Sequence, residues 1–150
     1  MKAISLSQPW CWAILYADKH IENRSWQPPI GMIDQQICLH AAKSWDVERR
    51  TIGDHYVTPF GYLLALGFDS APNRKDLYPA SAIVGLATID RIVTVADTLP
   101  DDQKRWFFGP FGWVLRDVRR LPTPIPCRGF QGLWHVPDDV LDQVTEQAAA

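Results

Sequence analysis

Cysteine is scarce in this sequence, with three residues in 150. Cys11, Cys38 and Cys127 lie far apart and form no C-x-x-C pair. An odd number of widely spaced cysteines argues against a disulfide framework and against a zinc site, so we expect buried free thiols. The four histidines also lack the spacing of a metal-ligand set, and we expect no metal and no other cofactor.

Long apolar runs and an excess of one charge are absent as well. The first residues contain one lysine but no apolar stretch typical of a signal peptide, and no run of about 18–20 apolar residues follows. We therefore expect a cytoplasmic protein with no membrane partner. The net charge of −2 provides no overall attraction to nucleic acid, so a polyanionic ligand would need a local basic patch.

Tryptophan, by contrast, is abundant, with seven residues. Most of these indoles are expected in the core, and a few at a recognition surface. A chain of this length buries roughly 68–70% of its unfolded surface, which is enough for a core without covalent staples. No internal repeat and no linker interrupts the sequence, so residues 1–150 are predicted to form a single domain.

Short strands and short helices follow one another without regular alternation. Alternating or continuous apolar patterns predict strands at 2–6, 20–26, 36–41, 82–95, 113–121 and 133–136. Helices are predicted after Ser7-Gln8-Pro9, over 44–55, around 62–66, over 101–107 and from Pro137 onward. The pattern indicates an α+β fold, built as a small β-barrel of five to six mostly antiparallel strands with flanking short helices.

Three local features sharpen these predictions. Ser7 is placed to cap the first helix, whose buried stripe would be Trp10, Ala13, Ile14 and Ala17. Ser44 or Asp46 would lie near the cap of the polar helix over 44–55. Prolines at 122, 124 and 126 are expected to exclude regular strand pairing there.

The densest group of candidate functional residues is the stretch from Lys19 to Trp26. In a strand over 20–26, Glu22, Arg24 and Trp26 would share one face. Lys19 could bind a phosphate, or act as a base if burial lowers its pKa. Glu22 suits a general acid or base, and Arg24 a two-point phosphate clamp. The alternative is a purely structural Glu22–Arg24 ion pair.

Aromatic and basic residues supply further candidates. Unpaired bases stack on exposed aromatic rings. Five aromatic residues flank the signature segments, namely Trp10, Trp26, Phe108, Phe111 and Trp113. Two of them, Trp26 and Trp113, are expected to be exposed in a cleft. A phosphate track or a solvated edge strand would explain four arginines, at 116, 119, 120 and 128. His40 is a candidate general base or a structural histidine, and Ser7 a ligand donor or a cap.

Several of these segments together resemble the ASCH domain, a family of the PUA-like superfamily. The resemblance is carried by Ser5-Leu6-Ser7-Gln8-Pro9-Trp10, Lys19-x-x-Glu22-Asn23-Arg24-Ser25-Trp26, His40-Ala41, Ile83-Val84-Gly85 and the aromatic run from Trp106 to Trp113. It covers most of the chain except residues 44–80 and the C-terminal helix. Ala17 or Asp18 stands at the glycine of the G-x-K-x-x-E-x-R signature. The pattern is similar to small stand-alone bacterial and phage members.

The resemblance implies a PUA-like barrel whose cleft binds single-stranded RNA or a modified nucleotide, in RNA metabolism. The signature residues together with the aromatic, basic and other candidates above give the predicted binding residues Ser7, Trp10, Lys19, Glu22, Arg24, Trp26, His40, Trp113, Arg116 and Arg128. An alternative is a metal-independent hydrolase with Lys19 and Glu22 as acid–base pair, either a single-strand ribonuclease or an acylated-cytidine amidohydrolase. The amidohydrolase branch carries Thr where this chain has Glu22. A protein-interaction module is a third alternative.

Overall fold

The structure, a computed structural model describing residues 1–150, contains eight strands and four α-helices. The strands are β1 (Lys2–Gln8), β2 (Ile21–Arg24), β3 (Gln36–Trp45), β4 (Arg50–Ile52), β5 (His55–Val57), β6 (Ala82–Val93), β7 (Phe111–Pro126) and β8 (Leu133–His135). The helices are α1 (Trp10–Tyr16), α2 (Pro59–Ala65), α3 (Asp101–Lys104) and α4 (Asp138–Ala149), with single 3-10 turns at Ile30–Met32 and Lys75–Leu77. No helix has the length and apolar character needed to cross a bilayer.

Six strands form one sheet in the order β2-β7-β6-β3-β1-β8, and β4 and β5 form a separate ribbon. Neighbouring strands are antiparallel except β1 and β3, which are parallel, so the sheet is mixed. The predicted α+β class is confirmed, but the predicted closure into a barrel is not, because no ladder joins β2 to β8. These edge strands are short, with four and three residues.

The open sheet is nevertheless curved, because strands that are not neighbours come into contact. Nη2 of Arg24 on β2 donates to the carbonyl oxygen of Ser5 on β1 at 2.6 Å. Three strands separate β1 from β2 in the sheet order. The curvature therefore brings the β2 edge near β1 and leaves a gap between them.

Local patterning correctly predicts most elements of this sheet. On β3, Ile37, Leu39 and Ala41 are buried in one core cluster, while Cys38 joins a different cluster on the opposite face. The predicted α1 stripe is buried, and the apolar residues Val140 and Val144 of α4 pack into the core formed with β7 and β8. The two periodicities thus place the correct side chains inside.

The predicted cap of α1 is wrong. Ser7 belongs to β1, whose pairing with β3 extends to Gln8, and the helix starts after Pro9 without a side-chain cap. Oε1 of Gln8 instead accepts a hydrogen bond from the backbone N–H of Trp12 at 2.9 Å. The strand keeps Ser7 extended, so the residue after it supplies the acceptor that the helix start requires.

The predicted polar helix over 44–55 is also wrong. Residues 44 and 45 end β3, and the rest forms a loop and the β4–β5 hairpin. Gly53 has a φ of 60°, a value that suits the tight turn between two short strands. The β-branched residues Thr51, Ile52 and Val57 favour this extended conformation.

Prolines in β7 interrupt the ladder without ending the strand. Gly85 pairs with Arg120 and Ile83 with Ile125, so residues 121–124 lie opposite Val84 alone. This bulge takes up Pro122 and Pro124, which cannot donate a backbone hydrogen bond. Pairing resumes at Ile125 and Pro126, contrary to the sequence-based expectation.

Candidate functional site

A cleft of about 1450 Å³ opens at the gap between β2 and β1. Its walls come from β1, β2, the end of β3, the loop at Phe108 and Gly109, and the segment 126–132 that precedes β8. No group of three or more His, Cys, Asp or Glu side chains is arranged to hold a metal ion. The open side of the sheet next to β2 is therefore a large concave surface.

Most of the residues predicted for the site line this one cleft. They are Ser7, Trp10, Lys19, Glu22, Arg24, Trp26, His40 and Arg128. Trp113 and Arg116 do not line it. Residues separated by more than 100 positions in sequence are thus brought together around the signature strand.

Trp113 is a core residue, so the prediction that it is exposed in the cleft is wrong. Its side chain is completely buried, and Nε1 donates to the carbonyl oxygen of Trp26 at 3.2 Å. The two rings meet edge to face with centroids 5.0 Å apart. Trp113 therefore supports Trp26, which is half-buried and lines the cleft.

The predicted arginine track is not assembled at the cleft. Nη1 of Arg116 donates to Asp34 at 2.9 Å and to Asp90 at 2.8 Å. The guanidinium of Arg120 lies over the exposed ring of Tyr16, with 4.5 Å to its centroid. Because β7 runs for 16 residues and its side chains alternate between faces, the basic run is spread apart. Arg128 is the member that lines the cleft.

Lys19 is a buried cation at the cleft floor. Asp18, with a φ of 53°, turns the chain out of α1 in a left-handed conformation that glycine favours. The Lys19 side chain is 1% exposed, its Nζ donates to the carbonyl oxygen of Ile21, and it lies 5.5 Å from the centroid of Trp10. Burial lowers the pKa of Lys19, and the negative charge of Glu22 opposes this shift. The hydrogen-bond partner of the ammonium group is thus a backbone carbonyl, and Glu22 acts on it through its charge alone.

Glu22 and Arg24 form a loose pair rather than a closed ion pair. Nε of Arg24 lies 3.8 Å from Oε1 of Glu22, which is too long for a hydrogen bond. Both this Nε and Oε2 of Glu22 are buried without a hydrogen-bond partner. Each such atom costs about 1–3 kcal/mol, so a purely structural ion pair is a poor explanation of their geometry.

Ser5 and His40 form a hydrogen-bonded network that sequence reasoning missed. The Ser5 hydroxyl lies 3.1 Å from Nδ1 of His40 and 3.1 Å from the Phe130 carbonyl oxygen, and it accepts from Nε1 of Trp134 at 3.2 Å. Nε2 of His40 lies 2.7 Å from the Cys127 carbonyl oxygen, which can only accept, so this nitrogen carries a proton. Both ring nitrogens are engaged, which favours the structural interpretation of His40.

Burial lowers the pKa of His40, while the hydrogen bond to the Cys127 carbonyl opposes the shift. Gly129 packs directly against this ring, because a Cβ atom there would lie 2.4 Å from Cε1 of His40. The Arg-Gly-Phe-Gln-Gly sequence by itself indicates only a turn. Its glycine spacing was the available signal for a close approach of backbone to the site.

Two anchoring groups at the rim were also missed. Asp46 accepts from Nε1 of Trp10 at 3.0 Å and pairs in two-point fashion with Arg50 at 2.8 Å, and these Arg50 hydrogen bonds lower the pKa of Asp46. The contact was not predicted because Asp46 was assigned to the cap of a helix over 44–55 that does not form. Oδ1 of Asn23 accepts from the backbone N–H of Phe108 at 2.7 Å. Asn23 thereby fixes the loop that presents an exposed Phe108 ring to the cleft.

The chain has the fold of solved ASCH structures. It is similar to the ASCH protein of Zymomonas mobilis, with a TM-score of 0.52, 15% identity, and coverage of 97% of this chain and 93% of that chain. A tyrosine-to-phenylalanine variant of that protein matches with a TM-score of 0.52, 16% identity, and coverage of 97% of this chain and 96% of that chain. A serine-to-alanine variant matches with a TM-score of 0.51, 16% identity, and coverage of 97% of this chain and 94% of that chain. No protein-family model and no curated protein matches the sequence. At this identity the similarity establishes the fold.

Proposed function

We propose that this chain is an ASCH-domain protein that binds single-stranded RNA or a modified nucleotide in the cleft around Lys19, Glu22 and Arg24, in RNA metabolism. The shared fold and the clustering of signature residues support this proposal. The observation that carries it is the convergence of Lys19, Glu22 and Arg24 on one cleft that also contains the exposed ring of Phe108. The Glu22 and Arg24 side chains are partly exposed there, so a ligand can donate to the carboxylate and accept from the guanidinium.

Nucleotides offer this combination of groups. An exocyclic amino group of a base can donate to Glu22, as cytosine N4 does to carboxylates in nucleic-acid complexes. A ring nitrogen, a base carbonyl or a phosphate can accept from Arg24. The exposed ring of Phe108, packed on Trp10 at 5.3 Å between centroids, offers a stacking surface beside these groups. Polar recognition and stacking together suit an unpaired base.

The test compares two arginines that differ in position and carry the same charge. Arg24→Ala is expected to weaken binding of a fluorescent single-stranded RNA at low salt by about tenfold or more, since a hydrogen bond to a charged group is lost. Lys19→Ala is expected to act in the same direction. Arg116→Ala, outside the cleft, removes the same charge and should leave affinity within about twofold. Equal affinities for all variants would show that the ligand does not occupy this cleft.

The burial of Lys19 favours a second candidate function. A lowered pKa makes its neutral amine more accessible, so Lys19 and Glu22 could exchange a proton with a bound substrate. The reaction would be metal-independent hydrolysis of RNA or of an acylated cytidine. It predicts turnover in EDTA that is lost in Glu22→Gln while the circular-dichroism spectrum is unchanged. Activity that persists in this variant would rule out the acid–base pair.

A further inference from the structure

Two large aromatic side chains are exposed within the same cleft. Phe108 is 38% exposed and Phe130 is 49% exposed, and both line the cavity. Phe108 packs against Trp10 on α1, whereas Phe130 packs against Trp134 on β8 with centroids 5.6 Å apart. The rings are therefore supported by different elements, on opposite sides of the gap in the sheet.

We propose that the cleft binds two consecutive nucleotides of single-stranded RNA, with one base stacked on Phe108 and the next on Phe130. This inference rests on the proposed function and selects RNA over a single modified nucleotide as the ligand. Base–aromatic stacking needs only an accessible ring face and tolerates different bases. Two rings exposed in one cleft thus offer stacking surfaces for two bases.

A continuous series of contacts connects the two rings and places Arg24 between them. On the Phe108 side, the Lys19 ammonium lies near the Trp10 ring and donates to the carbonyl of Ile21, which directly precedes Glu22, the loose partner of Arg24. On the other side, Arg24 donates to the Ser5 carbonyl, and the Ser5 hydroxyl donates to the carbonyl of Phe130. A phosphate that joins two stacked nucleosides would therefore lie near Arg24, whose side chain is partly exposed in the cleft.

The size of the cleft and the charge at its second end agree with this ligand. The cavity of about 1450 Å³ exceeds the roughly 300–1,000 Å³ of typical small-molecule pockets. The guanidinium carbon of Arg128 lies 5.2 Å from the centroid of Phe130. A second nucleotide at Phe130 would thus have its own cation for a phosphate.

The test measures affinity by calorimetry for cytidine 5′-monophosphate and for oligoribocytidylates of two, three and four residues. Cytidine is used because its amino group can donate to Glu22. The dinucleotide should bind at least about tenfold tighter than the monophosphate, and longer chains should add less. Phe130→Leu, which keeps an apolar side chain, should abolish the gain of the dinucleotide without changing the affinity for the monophosphate.

Tyr56→Leu is the matched control, since Tyr56 is an aromatic residue 67% exposed and outside the cleft. It should leave every affinity unchanged. A monophosphate and a dinucleotide of equal affinity would overturn the inference and leave the proposed function standing, and so would a Phe130→Leu loss shared equally by both probes. Failure of all probes to bind would overturn the proposed function as well.

Discussion

At the scale of single residues, the site is built from side chains that are held in unfavourable surroundings. Lys19 is a cation without solvent, and Glu22 and Arg24 each keep one polar atom unpaired. Burying such polar atoms without partners lowers the free energy of unfolding, and this free energy is regained only if a ligand pairs with them. The stability of the fold around these residues should therefore respond to pH and to substitution in a way that a surface ion pair would not.

Lys19 should make the protein more stable as pH rises toward 10.5. Its pKa is lowered in the folded state from the ordinary 10.5, so the unfolded chain binds more protons between the two values. Free energies of unfolding in urea across this window should rise with pH in the wild type relative to Lys19→Met. Burial raises the pKa of Cys11 to about 12, so Cys11 lowers the free energy of unfolding as pH rises. Both proteins contain Cys11, so subtracting one free energy of unfolding from the other removes this contribution. A pH-independent difference would contradict the buried, charged lysine.

Gly129→Ala should destabilise the fold by about 1–3 kcal/mol, because the new Cβ would lie 2.4 Å from the His40 ring and 2.8 Å from the Ser5 hydroxyl. The midpoint of urea unfolding measures this loss. Gly31→Ala is the control, since no atom lies within 4 Å of the position that its new Cβ would take, and a change within about 0.5 kcal/mol is expected. Equal effects at both glycines would refute the close approach of residue 129 to the site.

At the scale of elements, β2 pairs with β7 in the sheet and also holds the neighbouring loop at Phe108. Its pairing with β7 fixes Glu22 and Arg24, while Asn23 reaches the loop that carries Phe108. The side chain of Asn23 also donates to the Trp106 carbonyl at 3.0 Å and accepts from the Gly109 N–H at 3.2 Å. One residue thus links the signature strand to the loop that carries the exposed Phe108 ring.

Asn23→Ala should loosen the loop at 106–109 without unfolding the sheet. Amide hydrogen exchange of Phe108 and Gly109 should accelerate because their shared acceptor is removed. The affinity for a single-stranded RNA should fall at the same time. Asn73→Ala, at an exposed position, provides the comparison. Unchanged exchange at both amides would show that Asn23 does not hold the loop.

Local sequence patterns predicted elements better than their assembly. The alternation in β3 and the long apolar β6 are visible from neighbouring residues, as is the α1 stripe. The hairpin at 50–57 was missed because its polar residues imitate a surface helix, although Gly53 provides its turn. Barrel closure and the positions of Trp113 and Arg116 depend on long-range packing, which periodicity does not contain.

At the scale of the whole molecule, the net charge does not show that several positively charged side chains lie in the cleft. The chain has a net charge of −2, and Arg116 is neutralised by Asp34 and Asp90. Within the cleft, Arg50 is paired with Asp46, and Lys19 is buried and bonded to the Ile21 carbonyl. Arg24, Arg128 and the exposed Lys43 are therefore the cleft cations left for phosphates.

RNA binding should consequently depend only modestly on salt. Two to three phosphate contacts on a single strand give a slope of about −1.4 to −2.1 for the logarithm of affinity against the logarithm of salt concentration. Anisotropy titrations of a short single-stranded RNA over a series of potassium chloride concentrations measure this slope. A slope steeper than about −3 would require an extended basic track and would contradict a cleft in which these cations alone meet phosphates. Arg128→Ala should make the slope shallower.

The pairing of β8 with β1 has a consequence for synthesis of the protein. Ser5 is translated early, whereas the Phe130 and Trp134 groups that surround it are translated more than 120 residues later. While β8 is still inside the ribosome, the nascent chain has the signature strand but lacks the side of the cleft where Phe130 packs on Trp134. The cleft thus acquires the wall that carries Phe130 only after β8 has left the ribosome, more than 120 residues after Ser5.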